Sequence, residues 1–557
     1  MGGIVLKSNR KIAFMMSFVL IATILFSGSA FASNEPVTFN VMAPLKVTNW
    51  NQFESNLALA KDMGVEAVSV DVWWGDVEKN QDNQFDWTYY DTIFNKIKDA
   101  NLKIVAIMSF HQCGGNVGDD YTSVLPTWVW SKYEGDQLEG LTLSVGDLKY
   151  KSELGNESPE YLALWTDALV NNEYVDFMNA FESHYGASSQ DFMELNISCG
   201  PAGELRYPSY NSHDGFNYPD RGRLQSYSRL AIKNFQDDMI AKYGSLSGVN
   251  QAWGINLSNV NEIQPPSDGT FFFSDTSHYL SNYGKDYINW YNGQLVEHGD
   301  RMLTYGEQAF NGQLGDVPIG IKIPGVHWQM TGDTPRIAEM SAGLINSTFD
   351  SDSNGHGYDP ITSMIKTHNN AILHFTCLEM SNTSSESSLA KDLVFWVAKS
   401  AENKGLVIKG ENALSGGNDN QSYWNNIDNA MTWASYKGLT VLRMNDVVHG
   451  DSNGYYRQLI QKFKSVEGVQ FTVHNAVTSY GENVYIVGGH SSLGDWNPDN
   501  AIMLDSSNYP TWSTTIEGVP TDQNIEFKFI KKNGSQIIWQ SGSNNVLNST
   551  TYEMNWE

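Results

Sequence analysis

Phe192-Met193-Glu194-Leu195-Asn196-Ile197-Ser198-Cys199-Gly200 runs into Pro201-Ala202-Gly203-Glu204-Leu205-Arg206-Tyr207-Pro208-Ser209-Tyr210, and the fold is decided on this stretch. Apolar residues alternate through its first half, which predicts a strand from Phe192 to Gly200. Two glycines and a proline then break the strand and expose one carboxylate, Glu204, beside Arg206 and two tyrosines. A carboxyl group among aromatic rings at the carboxyl end of a strand suits proton donation to a sugar oxygen.

Seven more runs of the same kind flank it. Strands are predicted at Thr38–Leu45, Ala67–Trp74, Leu102–Ser109, Pro318–Val326, Ala371–Glu379, Leu406–Ala413 and Leu439–Asp446. Helical periodicity falls between them, as in Asn51–Met63, Tyr90–Ala100, Tyr174–Tyr185, Leu224–Tyr243 and Leu389–Lys404. Eight strand-helix units predict an α/β fold, a (β/α)8 TIM barrel with long insertions after its third and fourth strands. A doubly wound open sheet is the alternative, but no glycine-rich dinucleotide turn follows the first strand. After Lys464 the texture changes to short strands and frequent turns, such as Leu493-Gly494-Asp495-Trp496 and Lys532-Asn533-Gly534, which predicts an all-β sandwich. The expected division is 1–32 as a signal peptide, 33–465 as the barrel and 466–557 as the sandwich.

Barrel enzymes carry their active sites at the carboxyl ends of the strands. The polar residues there are Asp71, His111, Glu204, Lys322, Thr376, Glu411 and Arg443, one ring suited to a polar substrate. Glu411, in Lys409-Gly410-Glu411-Asn412-Ala413-Leu414, is a second carboxylate on the rim that carries Glu204. Two carboxylates at one site support glycoside hydrolysis. The glycine-rich segment His111-Gln112-Cys113-Gly114-Gly115-Asn116-Val117-Gly118-Asp119-Asp120 lacks the lysine ending of a phosphate loop. It reads either as a lid over the substrate or as a plain surface turn.

Composition narrows the partners. The 557 residues carry a formal net charge of −28, which repels phosphate backbones and disfavours nucleic acid, while a neutral polysaccharide feels no repulsion. Lys7, Arg10 and Lys11, the apolar run Ile12–Phe26 and Ala30-Phe31-Ala32 predict a secretory signal peptide, hence an exported protein with no membrane anchor after cleavage. Cys113, Cys199 and Cys377 fit no zinc ribbon or disulfide framework; buried free thiols are expected, with one disulfide left open.

Residues 38–465 resemble the β-amylases. The motifs that carry the resemblance are Val70-Asp71-Val72-Trp73-Trp74-Gly75-Asp76, the His111 segment, the Glu204 segment, Thr376-Cys377-Leu378-Glu379-Met380 and Gly410-Glu411-Asn412-Ala413, all in order. The resemblance implies inverting hydrolysis of α-1,4-glucosidic bonds in starch, amylose and maltodextrins, releasing β-maltose from non-reducing ends. Glu204 would be the general acid and Glu411 the general base, their carboxyls about 6.5–9.5 Å apart to admit a water. Sugar contacts would fall on Asp71, His111, Asp119, Lys322, His327, Thr376, Asn412, Ala413 and Arg443. The resemblance also implies one structural Ca2+ held by Glu78, Asp82, Glu173 and Asp176, whose oxygens suit a hard cation. The bland alternative is two solvated acidic helix faces. Relatives often pair a cysteine at 113 with one eight residues on; Tyr121 stands there, so that bridge is absent. Cys199 replaces the glycine usual in relatives.

The C-terminal region resembles a starch-binding domain. Trp496 and Trp539 would stack on glucose rings and Lys528 would bond hydroxyls; both tryptophans lying in the core is the alternative. A monomer is expected. Two other readings stay open: a retaining barrel glycosidase, and a catalytically silent glucan-binding protein.

Overall fold

The computed structural model describes residues 36–114, 119–215, 218–332, 336–348, 352–464, 468–519, 524–534, 536–547 and 549–556. The predicted signal peptide and residues 115–118 of the glycine-rich segment lie outside them. Eight parallel strands close into a barrel: β1 (Thr38–Met42), β2 (Ala67–Trp73), β3 (Lys103–Ser109), β4 (Phe192–Ile197), β5 (Ile319–Ile323), β6 (Ala371–Phe375), β7 (Val407–Glu411) and β8 (Gly438–Val441). Asn40 of β1 pairs with Thr440 of β8, so the sheet has no free edge and the open doubly wound alternative is excluded.

The observed strands stop short of most of the predicted carboxyl ends. Apolar alternation continues past each strand, but the backbone there leaves the ladder and turns into the rim. Cys377 and Arg443, with φ of 65° and 62°, mark two such departures. The helix expected over Leu224–Tyr243 begins only at Arg229, where the Ser228 side chain accepts from the Ala231 amide and caps it. The helix expected from Tyr174 begins earlier, at Asp167.

Strand periodicity sorts the barrel residues into two faces. Phe39 and Val41 of β1 are buried on the outer face, where the Phe39 ring lies 6.1 Å from Tyr456 and 6.2 Å from Phe463. The inner face is polar. Lys409 Nζ lies 2.7 Å from Glu194 Oε2, and His374 Nε2 bonds the other oxygen of that carboxylate. Burial opposes the charge on Glu194, but His374 and Lys409 outweigh it and hold the group at about 2. Gly320 makes room for this interior, since a Cβ there would stand 1.8 Å from Asn196 Oδ1 and 2.6 Å from Glu194 Oε1.

From Val469 onward two antiparallel-rich sheets face a separate core containing Phe471, Ile486, Trp512, Phe527 and Phe529. One sheet orders Asp505–Asn508, Thr511–Ile516, Val469–His474 and Thr551–Asn555; the other is built on Asn483–Gly488 and Ile525–Asn533. This is the β-sandwich that the turn spacing predicts. Among the described residues no helix is long and apolar enough to cross a membrane.

Candidate active site

A cavity of about 450 Å3 opens at the carboxyl ends of the barrel strands. Glu204, Glu411, Asp71, His111, Asp119, Lys322, His327, Thr376, Asn412, Ala413 and Arg443 all line it. Residues separated by hundreds of positions meet there because each strand of a closed barrel delivers its last side chains to one rim.

Glu204 follows a tight turn in which Ala202 and Gly203 take φ of 57° and 79°. Its Oε2 accepts from Arg206 Nε at 2.9 Å, and the Arg206 guanidinium lies 4.1 Å from the Tyr210 ring centre. Burial raises the Glu204 carboxyl above its ordinary value, against the pull of Arg206 and Lys322 and with the help of Glu411. Glu411, at the end of β7, accepts from Lys322 Nζ at 2.8 Å. The two carboxylates therefore differ in setting: one is bonded to a guanidinium and biased toward its neutral form, the other is paired with an ammonium.

The surrounding groups are held by named partners. Asp71 accepts from Ser109 Oγ at 2.8 Å, and burial raises its carboxyl despite that bond and the nearby cations. His111 Nδ1 lies 2.8 Å from Ser198 Oγ, and desolvation, with Lys322 and Arg206 nearby, lowers its imidazole to about 3. His327 Nδ1 bonds Ser388 Oγ at 2.7 Å, and burial lowers that ring to about 4. Both histidines are thus neutral over the ordinary working range. Thr376 Oγ1 accepts from the Gly325 amide at 2.7 Å. Asp119 accepts from the Gly114 amide at 3.0 Å and lies 4.0 Å from Arg443. Asn412 is anchored within the rim. Its amide is held at both ends by backbone, donating to Leu414 O and accepting from Leu442 N at 2.7 Å each. Glu379, just outside the cavity lining, accepts from the Ala413 amide at 2.9 Å and is pushed to about 7 by burial.

Sequence reasoning did not single out Asn196, Tyr218 and Trp328, which also line the cavity. Trp328 packs edge-on against Tyr210 and Tyr218, with ring centres 5.1 Å from each. Tyr218-Pro219 and the neighbour of His327 were the only local signals, and neither carries a pattern of its own.

The acids expected to bind calcium are arranged differently. Glu78 and Glu173 are buried, with Asp82 near enough to act on the Glu78 carboxyl, and Asp82 and Glu173 both pair with Lys132. Lys132 Nζ lies 2.7 Å from Asp82 Oδ2 and 2.5 Å from Glu173 Oε1. Glu78 accepts from Trp74 Nε1 at 2.7 Å, and Asp176 is exposed on the same helix as Glu173. Among the described residues no group of three or more metal-ligating side chains forms a cage. As arranged, the cation between Asp82 and Glu173 is the Lys132 ammonium.

The three cysteines are free and buried, and Cys113 Sγ donates to Tyr121 O at 3.4 Å. In the sandwich, Trp496 is half-buried and Trp539 exposed, with ring centres 6.5 Å apart, so neither is a core residue. The Lys528 ammonium donates to Gln540 O and Gly542 O at 2.8 Å each and fastens the loop after Trp539.

Comparison with known proteins agrees with this architecture. The model of glycosyl hydrolase family 14 matches residues 40–468, and that of the starch binding domain matches residues 467–556. A thermophilic β-amylase from Thermoanaerobacterium thermosulfurigenes is 39% identical over 96% of this chain and 95% of its own. A β-amylase from Bacillus cereus is 38% identical over 93% and 92%. The crystal structure of the β-amylase catalytic domain from Paenibacillus polymyxa superposes with a TM-score of 0.68 at 37% identity, covering 76% of this chain and 97% of that one. The chain belongs to glycosyl hydrolase family 14, the family of the β-amylases, and carries a starch binding domain at its carboxyl side.

Proposed function

We propose that this glycoside hydrolase releases β-maltose from the non-reducing ends of starch and related glucans, with Glu204 as general acid and Glu411 as general base. The observation that carries the assignment is the unequal setting of two carboxylates in one cavity. Pairs of titratable groups in contrasting environments mark acid and base. Burial biases Glu204 toward its protonated form, and that proton passes to the glycosidic oxygen as the bond breaks. Arg206 stabilises the carboxylate left behind. Glu411, steadied by Lys322 through Oε1, takes a proton from a water on the opposite face of the sugar ring. That water adds to the anomeric carbon and inverts it.

The neutral imidazoles of His111 and His327 and the carboxyl of Asp71 would bond sugar hydroxyls, while Tyr210, Tyr218 and Trp328 offer apolar faces. Thr376 would meet the departing product. A cavity backed by barrel strands suits a chain end. Trp496 and Trp539 would dock the enzyme on starch through ring stacking. The basic and apolar run at residues 7–26 supports an exported enzyme.

Glu204→Gln tests the assignment. It should cut turnover of soluble starch by roughly 10²–10⁴-fold while leaving adsorption to starch granules unchanged. Turnover within a few fold of the parent would refute Glu204 as the acid.

A further inference from the structure

The turn that carries Glu204 is fastened from below by a group that the proposed chemistry leaves unused. His298 sits on the helix Asn282–Ala309 and is fully buried. Its Nδ1 lies 2.6 Å from Asp167 Oδ2, and its Nε2 lies 3.1 Å from the backbone oxygen of Cys199. A carbonyl oxygen can only accept, so Nε2 carries a hydrogen. Asp167 Oδ2 also accepts from Arg301 Nε at 2.8 Å, so the carboxyl that braces the ring is itself anchored. The ring is held at both nitrogens, by a carboxyl oxygen on one side and a backbone carbonyl on the other.

The residue it grips immediately precedes the turn. Cys199 is followed by Gly200 and by Ala202 and Gly203 in the left-handed region, and Glu204 comes next. The carbonyl before it, Ser198 O, accepts from Tyr161 OH at 3.0 Å, and the Tyr161 ring stands edge-on to His298 with centres 5.7 Å apart. The last two peptide oxygens before the turn are thus each held by a buried donor. Left-handed backbone at a non-glycine residue persists only where surrounding structure fixes it.

We infer that His298, backed by Asp167 and Arg301, is a positioning residue for Glu204. This rests on the reading of Glu204 as proton donor. His298 touches no reacting atom; it sets the height of the turn, and through it the reach of the carboxyl to the glycosidic oxygen. Displacement of such a group by about 1 Å costs up to roughly 100-fold in rate.

The test pairs two substrates. Maltopentaose needs a proton on its leaving group, whereas α-maltosyl fluoride loses fluoride with little need of one. His298→Gln should lower kcat for maltopentaose by roughly tenfold or more with KM nearly unchanged, and leave hydrolysis of maltosyl fluoride within about threefold of the parent. Asp167→Asn, which keeps a side chain of the same shape, should show the same split in weaker form. Equal losses on both substrates, or no loss on either, would overturn the inference. Glu204→Gln is the control: if it fails to spare the fluoride, the acid assignment is wrong and the role of His298 falls with it. If Glu204→Gln spares the fluoride and His298→Gln does not, only the His298 inference is lost.

Discussion

Lys322 is the residue on which the proposed base depends most directly, because its ammonium lies 2.8 Å from Glu411 Oε1. Lys322→Met should lower kcat by roughly 10²-fold or more, since a preorganised charge in a dry site is worth several kcal/mol. A kcat within threefold or so of the parent, measured on maltopentaose, would show that Glu411 needs no such partner. That Glu204 and Glu411 share one rim was legible in the sequence because each lies at the carboxyl end of an expected strand, Glu204 after Gly200-Pro201-Ala202-Gly203 and Glu411 after Gly410. The partners of other site residues were not legible. Nothing local tells that the Asn412 amide bonds Leu414 and Leu442, or that Lys528 donates to the carbonyls of Gln540 and Gly542. Those contacts are created by chain approach, and one sequence carries no record of it.

Among the elements, the polar barrel interior makes the sharpest claim on stability. Glu194 on β4 is fully buried and bonded to His374 of β6 and Lys409 of β7, so it ties three strands together. Glu194→Gln leaves the Lys409 ammonium without its carboxylate and should destabilise the barrel by about 3–5 kcal/mol in urea unfolding. A loss below about 1 kcal/mol would mean that the interior charges are solvated. The Glu379 carboxyl, which caps the end of β7, moves the other way: burial raises it from an ordinary 4.5 to about 7. The folded state therefore binds this proton more tightly than the unfolded chain. Its contribution is complete below about pH 4.5 and is lost as pH rises through about 7. Stability should fall between those limits, and Glu379→Gln should make the fall shallower; an identical slope in the variant would contradict the assignment. Lys132 clamps the loop of Asp82 to the helix of Glu173. Lys132→Met should lower the melting temperature, and millimolar Ca2+ should restore part of the loss; a variant that melts like the parent would show the clamp to be idle. The strands were legible as elements because a short apolar run marks every one of them. Their ends were not, because alternation runs on into the rim after hydrogen bonding has ceased.

For the whole molecule, two cores and two sets of sheets predict separable activities. A chain ending near residue 465 should hydrolyse soluble maltodextrins about as well as the parent and adsorb poorly to granular starch; undiminished adsorption would assign granule binding to the barrel. The overall organisation was legible from the change of texture after Lys464. The central claim concerns the stereochemistry of one bond cleavage, and proton NMR of the first product formed from maltopentaose tests it most directly. Maltose appearing first as the β-anomer, before mutarotation, is the predicted result. Maltose appearing first as the α-anomer, or glucose as the first product, would contradict the account.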